Sequence, residues 1–495
     1  MDTRRIVNAT KRLASQHDEF LLSEIAGQLR EDIPVPDLYR AISPHLKALD
    51  VSAEKTDGDY RISRRTGPAP FVLSAQEKER SRLFFSRNRI PAIVEEAVEQ
   101  YISKKVGKRW DDPVILERLR RAVTAQKDDY WKAPDKRRLS YTKGYSVLGY
   151  LAYHFPVYFM HTEYLMQALS AAGLLKRKMK ILDVGTGPGV VPLAVADFVS
   201  RLDDVSAEIH SVEKSEENLE AFRFLTGAVI SGMRNIVIHP PVQADIRSIG
   251  DRDIPGQVDL LVFSNVINEF ENLPVERQAD LVMRFAGHIA QDGTILIVEP
   301  AEEVSAIRLR SLSRALAERG LFIHSPCSFL YGTRCDPSRC WSFETQPDIH
   351  PTKVMDMLAA GKEPYRYRNT DIKYAYVILL KDGRVQNPFR IPPHAKVARF
   401  SKLHQHLNRR INVVGAKMSQ DLGNRKTHLF KLCDGTAAKP VYAVIPAYHR
   451  NSGNDALLSA PYGAVLSLQD VLVRYNKEHD AYNLLVSRKT RIRKE

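Results

Sequence analysis

A glycine-rich turn in the middle of the chain is the segment best suited to holding a ligand. Residues 183–189 read Asp-Val-Gly-Thr-Gly-Pro-Gly, at the end of an apolar strand predicted at Lys180–Val184. Gly185, Gly187 and Gly189 permit a tight turn and a close approach of ligand to backbone, because they lack side chains. Dinucleotide-binding turns have the spacing G-x-G-x-x-G around a pyrophosphate. Here the third glycine comes one residue early, so the turn departs from that pattern.

The turn resembles motif I of class I methyltransferases, Asp-x-Gly-x-Gly-x-Gly, with Asp183 in the acidic position. This resemblance implies S-adenosylmethionine as the cofactor. Glu213 ends the next predicted strand, where a carboxylate can accept hydrogen bonds from ribose hydroxyls. The resemblance also places Asp245 near the adenine, with an ordinary surface aspartate as the alternative. Asn265, at the end of the fourth predicted strand, is a further predicted cofactor-binding residue.

The end of the fourth predicted strand, Ser264–Phe270, is where the superfamily places residues that face the methyl acceptor. Enzymes that methylate exocyclic base nitrogens commonly have Asn/Asp-Pro-Pro-Tyr/Phe there, and this chain does not. The sequence therefore identifies no catalytic base or nucleophile.

The four cysteines form a second candidate site. Cys327, Cys335 and Cys340 lie within fourteen positions, and Cys433 follows far downstream. Four thiolates suit either a tetrahedral zinc ion or a 4Fe-4S cluster. Zinc ribbons usually have closely paired cysteines, whereas intervals of seven, four and ninety-two residues make looser loops. The spacing favours the iron-sulfur cluster, and zinc is the alternative.

A narrower resemblance follows from three motifs taken together: the glycine turn, the Cys-x7-Cys-x4-Cys-Trp-Ser-Phe segment at 326–343, and the late Leu-Cys-Asp-Gly. They resemble the methyltransferase-like small-ribosomal-subunit assembly factor family over roughly Tyr141–Gly435. The resemblance implies a 4Fe-4S cluster ligated by the four cysteines. It also implies that the ribosomal small subunit and its RNA are the partners.

The charge of the chain supports a nucleic-acid partner. The formal net charge is +14, and residues 391–450 contain eleven basic residues against two acidic ones. Such a concentration attracts RNA phosphates, although a solvated basic surface is the alternative. We call the four predicted RNA-binding cations the basic patch: Arg409, Arg410, Arg425 and Lys426. Nearby aromatic residues, including Phe400, Phe430 and Tyr448, could stack on bases or form the domain core.

The pattern of elements predicts how these residues are positioned. Residues 174–387 alternate short apolar strands with helices, which indicates an α/β fold with the Rossmann-like parallel sheet of class I methyltransferases. Residues 1–65 suggest a winged-helix-like module or a helical cap, followed by a linker at 66–70. Residues 70–173 are predicted to be helical, and residues 388–495 form a basic β-rich domain, with an oligonucleotide-binding barrel as one form. For the aromatic stretch Tyr150–Phe159, core packing is favoured over covering a cofactor pocket.

Three functions are compatible with these features. The first is an enzyme that transfers a methyl group from S-adenosylmethionine to ribosomal RNA, and the second is an RNA-binding assembly factor that transfers nothing. A small-molecule methyltransferase with structural zinc is the third, and it fits the basic charge poorly. No apolar stretch approaches the roughly 18 to 20 residues of a membrane span, and no secretory leader is recognised. We therefore expect a cytoplasmic protein with no membrane partner.

Overall fold

The computed structural model describes residues 3–16, 19–29, 31–46, 48–49, 51–64, 71–130, 144–270, 272–332, 335–361, 363–392 and 394–495. The linker predicted at 66–70 lies outside these residues. None of the helices in the described ranges has the length and apolar character needed to cross a bilayer.

The α-helices of the described residues are, in chain order, α1 Thr3–Gln16, α2 Glu24–Leu29, α3 Val35–Ile42, α4 Ala75–Arg87, α5 Ala92–Val106, α6 Pro113–Tyr130, α7 Tyr145–Tyr153, α8 Phe155–Ala171, α9 Val190–Ser200, α10 Glu216–Val229, α11 Val275–Ala286, α12 Glu303–Glu318, α13 Lys353–Ala359 and α14 Ala456–Ser459. Local sequence sets several boundaries. Ser74 and Glu77 form a capping box at the start of α4, and Ser215 caps α10.

The strands are β1 Glu19–Leu21, β2 Val51–Lys55, β3 Tyr60–Arg64, β4 Lys178–Val184, β5 Ser206–Glu213, β6 Ile236–Ile238, β7 Val242–Gln243, β8 Val258–Ser264, β9 Ile289–Pro300, β10 Phe322–Ser325, β11 Glu344–Gln346, β12 Ile372–Leu380, β13 Arg410–Lys417, β14 Thr427–Cys433, β15 Val441–Pro446, β16 Val465–Asn476, β17 Ala481–Leu485 and β18 Arg491–Lys494. The chain separates into two compact units. We call Pro70–Ser305 with Thr345–Tyr376 the sheet unit, and Met1–Ala69 with Ala306–Glu344 and Val377–Glu495 the barrel unit.

The main sheet has the strand order β10-β12-β9-β8-β4-β5-β6. The pairs β4–β5, β4–β8, β5–β6 and β8–β9 are parallel, whereas β10 and β12 are antiparallel. The central strands are nearly continuous apolar runs, and such strands are stable when both faces of a sheet are covered. In this order β4, the strand that precedes the glycine turn, lies at the centre between β8 and β5. The predicted class I methyltransferase fold is therefore confirmed.

In the barrel unit, the N-terminal residues form α1, α2, α3 and the three-stranded antiparallel sheet β1-β3-β2. Apolar residues such as Ile6, Leu38 and Ile62 are fully or almost fully buried in a core of their own. The sequence pattern of Asp37–Leu49 predicts a single helix. The structure ends α3 at Ile42 and continues with a 3-10 turn at Ser43–His45, because Pro44 cannot extend the α-helical hydrogen bonding.

The C-terminal part of the barrel unit is a closed sheet. Its order is β13-β14-β15-β17-β16-β18, and a further pairing of β13 with β16 closes it into a barrel. β15 and β17 are parallel, while the neighbouring pairs are antiparallel. The predicted C-terminal β domain is confirmed. The sequence analysis did not predict β13 or β14 as strands, since polar residues and, in β13, Gly415 interrupt their short apolar runs.

Candidate cofactor cavity and cysteine site

The glycine turn joins β4 to α9 at the carboxyl edge of the parallel sheet. Its backbone is held to β5: the Gly185 amide donates to the Val212 carbonyl at 2.8 Å, and the Gly187 amide donates to Glu213 Oε2 at 2.9 Å. The other Glu213 oxygen accepts from the Ser215 amide at 2.8 Å. Glu213 therefore fixes the turn and the start of α10, and each oxygen keeps a lone pair for a further donor.

The three glycines of the turn differ in what surrounds them. All have positive φ, which favours glycine. A Cβ on Gly185 would lie 2.6 Å from the Val266 side chain, and one on Gly189 would lie 3.0 Å from Phe222. A Cβ on Gly187 would meet nothing within 4 Å. Gly185 and Gly189 thus allow close packing, whereas Gly187 borders open space.

A cavity of about 100 Å³ lies over this edge of the sheet. It is lined by most of the residues predicted from the sequence for the cofactor: Asp183, Gly185, Gly187, Glu213, Asp245 and Asn265. The predicted residue Gly189 is absent from the lining and packs against Phe222 instead. Hydrogen bonds from Arg247 lower the pKa of Asp245 to about 2, so this carboxylate is ionised at neutral pH.

Two acids that the sequence analysis did not single out contribute to this region: Glu269 lines the cavity, and Glu299 binds the backbone of the loop that includes the lining residue Asn268. Glu299 at the end of β9 accepts from the amides of Ile267 and Asn268 at 2.9 and 3.1 Å, and burial raises its pKa to about 8. Glu269 lines the cavity and pairs with Lys214 at 3.1 Å, and burial raises its pKa. An acid at the carboxyl end of a buried parallel strand was the available sequence signal for Glu299.

Burial also perturbs Asp183, which is 1% exposed. Burial raises the pKa of Asp183 to about 7. Thr186 opposes this shift, and the negative charge of Glu213 adds to it. Its Oδ2 atom is buried without a hydrogen-bond partner among the described residues. An acceptor of this kind at the base of a cavity suits a ligand that carries a donor.

One wall of the cavity is aromatic. Tyr150, His154 and Tyr158 line it from α7, its C-terminal boundary and α8. The rings of His154 and Tyr158 stack at 5.6 Å between centroids, and Tyr150 meets Tyr158 at 6.0 Å. The sequence analysis favoured core packing for this stretch. Its neighbours Phe155 and Phe159 are indeed buried core residues, whereas these three rings face the cavity.

The cysteines converge within the barrel unit. Cys327, Cys335 and Cys340 line a cavity of about 130 Å³ together with Arg310 and Phe329. Cys433, at the end of β14, is close enough to Cys340 and Cys327 for their charges to interact. The tertiary fold thus brings together four thiols that are separated by up to 106 positions in the chain, between Cys327 and Cys433.

Hydrogen bonds organise the surroundings of the thiols. The Gly435 amide donates to Cys433 Sγ at 3.4 Å, and Cys340 Sγ lies 3.6 Å from Ser342 Oγ. Arg310 donates to the Ser342 hydroxyl and carbonyl, each at 3.2 Å. Burial raises the pKa of Cys327 to about 12, and Arg310 opposes this shift. Among the residues that the structure describes, no three thiols have their sulfur atoms within 4.8 Å of one another.

The basic patch lies on the surface of the C-terminal barrel, and all four of its side chains are exposed. Arg410 begins β13 and Arg409 directly precedes it, while Arg425 and Lys426 end the loop before β14. Arg410 forms an ion pair with Asp470 at 3.0 Å. Of the nearby aromatic residues, Phe400 and Phe430 are buried in the barrel core, and Tyr448 is 68% exposed.

Comparisons with known proteins cover different parts of the chain. Residues 401–495 match a family described as "Domain of unknown function (DUF8157) C-terminal domain". No curated protein is similar to this chain in sequence. Because the matched family covers only the C-terminal barrel, it leaves the sheet unit unassigned.

Several solved structures resemble parts of the chain. The magnesium protoporphyrin IX methyltransferase of Synechocystis PCC 6803 with bound SAM has a TM-score of 0.29 and 12% identity, over 52% of this chain and 97% of that one. Fibrillarin of Aeropyrum pernix with S-adenosyl-L-methionine has a TM-score of 0.27 and 16% identity, over 46% and 76%. TrmN of Thermus thermophilus has a TM-score of 0.25 and 21% identity, over 35% and 48%. The fold assignment rests on the strand order of this chain, not on these scores.

Proposed function

We propose that this protein binds S-adenosylmethionine in the cavity of the sheet unit and transfers its methyl group to RNA of the ribosomal small subunit. The observation that carries the proposal is the glycine turn at the carboxyl edge of the sheet. There the Gly187 amide is bound to Glu213, and open space lies beside Gly187. In parallel α/β sheets, ligands bind at this edge.

The residues of the cavity fit the chemistry of the cofactor. Glu213 has lone pairs for the ribose hydroxyls, and Asp245 lines the same cavity as the proposed partner of the adenine. The unpartnered Oδ2 of Asp183 can accept from the amino group of the methionine portion. When bound, S-adenosylmethionine supplies an activated methyl group, so alignment of the acceptor is the main task left to the protein.

The aromatic wall and Glu269 support a planar acceptor. Tyr150 and Tyr158 give this wall an aromatic surface against which an unpaired base can pack. Glu269 lines the same cavity, and its raised pKa suits a group that accepts a proton during transfer. Asn265, in the left-handed conformation at the end of β8, borders the same space.

A 4Fe-4S cluster held by Cys327, Cys335, Cys340 and Cys433 is the second part of the proposal. Zinc bound by four thiolates at about 2.3 Å would hold the sulfur atoms about 3.8 Å apart. The wider arrangement of the thiols leaves room for a larger group, and the N–H donor to Cys433 is typical of hydrogen bonds that tune iron-sulfur clusters. Zinc remains the alternative that metal analysis would reveal.

Binding to small-subunit RNA is assigned to the C-terminal barrel. Its closed order, with β13 paired to both β14 and β16 and a parallel β15–β17 pair, is the topology of an oligonucleotide-binding fold. The loop between β13 and β14 ends in two members of the basic patch, Arg425 and Lys426. Exposed cations at such a loop can neutralise RNA phosphates. The location expected for a protein that acts on this RNA is the cytoplasm.

The test is methyl transfer from labelled S-adenosylmethionine to purified small subunits by the full chain. We expect label in the RNA with wild type and none with Gly187→Val, whose side chain would fill the open space. The matched control is Gly58→Val, because Gly58 also has positive φ with nothing within 4 Å of a Cβ. Cosedimentation with small subunits without any transfer would instead establish the assembly factor that transfers nothing. Absence of both activities would contradict the proposal.

A further inference from the structure

We propose that Glu208, His210 and His239 form a binding site for a divalent transition-metal ion, with zinc as the preferred ion. This cluster belongs to the sheet unit and contributes nothing to the cofactor cavity or the cysteine site. Glu208 and His210 lie on β5, and His239 directly follows β6, the last strand in the sheet order.

The side chains already converge on one point. Nε2 of His210 and Nε2 of His239 each lie 2.9 Å from the same carboxylate oxygen, Glu208 Oε1. The two imidazole rings stack with centroids 4.2 Å apart and an interplanar angle of 13°. Among the described residues, this is the one group of three or more histidine, cysteine or acidic side chains whose ligand atoms all lie within 4.8 Å.

The backbone fixes this convergence. Glu208 and His210 are two residues apart on a strand, so both side chains project from the same face. The parallel register pairs Ile209 with Ile238, and the His239 amide donates to the Ile209 carbonyl at 2.9 Å. The three ligands are therefore presented by hydrogen-bonded strands, which hold donor atoms more accurately than loops do.

Two imidazole nitrogens and one carboxylate oxygen are the donors that zinc accepts at about 2.0–2.2 Å. Tetrahedral geometry at such lengths separates the donors by about 3.4 Å, so each 2.9 Å contact needs to open by a few tenths of an ångström. Each histidine would lose the Nε2 proton to water and gain one at Nδ1, with no net change in charge. The side chains are partly exposed, which leaves room for water as the fourth ligand. Magnesium, which prefers oxygen ligands, fits this donor set poorly.

An ion at this site would strengthen the attachment of β6 to the sheet. β6 has three residues and pairs with β5 alone among the described strands, so its attachment to the sheet is short. An ion between His239 and β5 would clamp this edge. The chain then continues through β7 to Asp245, which lines the cofactor cavity.

Lys180 offers a further test of the proposed metal site. It lies opposite Glu208 in the β4–β5 register, and its charge opposes a cation at that carboxylate. Replacing this lysine by methionine keeps much of the side-chain volume and removes the charge. We therefore expect Lys180→Met to bind zinc more tightly than wild type.

The experiment is calorimetric titration of Zn²⁺ into the full chain with its cysteine site already loaded with metal. We expect one additional equivalent in wild type and its loss in the double variant His210→Ala/His239→Ala. The control is His404→Ala/His406→Ala, which removes two histidines from one 3-10 helix and should leave the equivalent intact. Mg²⁺ should give no heat of binding.

Two further measurements keep the test decisive. Glu208→Gln retains a hydrogen-bond acceptor for the two rings, and we expect it to weaken Zn²⁺ binding at least tenfold even if the double variant fails to fold. Co²⁺ should bind with visible bands but without the near-ultraviolet charge-transfer band of thiolate ligands. Unchanged zinc binding in Glu208→Gln and in the folded double variant, or cobalt bound only through sulfur, would overturn the proposal.

Discussion

Replacing Asp183 by asparagine tests whether ionisation of this buried carboxyl group destabilises the folded protein. Asp183 is 1% exposed, and burial raises its pKa from 3.8 to about 7. The unfolded chain loses this proton near pH 4, while the folded chain keeps it until about pH 7. The folded state thus binds more protons within this window, and its stability falls as the pH rises through it. Above pH 7 the loss is complete.

The magnitude follows from the same shift. Each pH unit inside the window lowers the free energy of unfolding by about 1.4 kcal/mol. Asparagine does not ionise, so the variant lacks this loss. Between pH 5 and pH 8.5, wild type loses stability over the two pH units from 5 to the Asp183 pKa of about 7. The stability of Asp183→Asn relative to wild type should therefore increase by about 3 kcal/mol between these pH values. Comparing two pH values cancels any pH-independent effect of the amide.

The assay is hydrogen–deuterium exchange of the slowest amides in β4, which ends next to Asp183. Wild type and variant are compared at the same pH, so the intrinsic exchange chemistry cancels. The matched control is Asp371→Asn, at an exposed aspartate of the same unit that pairs with Lys373. If wild type and Asp183→Asn show the same pH dependence of protection, the carboxyl group is not protonated in the folded state and the reasoning fails.

The remaining predictions concern the iron-sulfur cluster, the cofactor and the small-subunit RNA. Cys340→Ser should lose most of the iron of anaerobically purified protein, and metal analysis showing zinc without iron in wild type would contradict the cluster. In calorimetric titrations, Gly187→Val should abolish S-adenosylmethionine binding, while Glu213→Ala should weaken it by about 1 to 3 kcal/mol through a lost hydrogen bond to a charged group. Reversing the four cations of the basic patch to glutamate should abolish cosedimentation with small subunits and leave iron content unchanged. Normal cosedimentation of that variant would place the RNA surface elsewhere.

Much of the sheet unit could be predicted because its signals are local. A glycine turn after an apolar strand, and an acid at the end of the next strand, identify Gly187 and Glu213 without tertiary information. The antiparallel pair β10–β12 and the barrel strands β13 and β14 were not predicted. β10 has only four residues, and polar residues interrupt the apolar runs of β13 and β14, so these strands depend on pairing with distant partners. In β12, a continuous apolar run was the available sequence signal.

The sequence by itself determined the class of the central sheet, the turn that borders the cavity, and four thiols with a common preference for soft metals. Residue type and spacing along the chain carry these properties. The tertiary structure decided which groups meet: Glu269 with the other residues that line the cavity, Cys433 with Cys327 in the barrel unit, and His239 with Glu208 across two strands. It also raised the pKa of Asp183. Proximity and burial depend on how strands pair over long sequence separations, and no local pattern encodes that pairing.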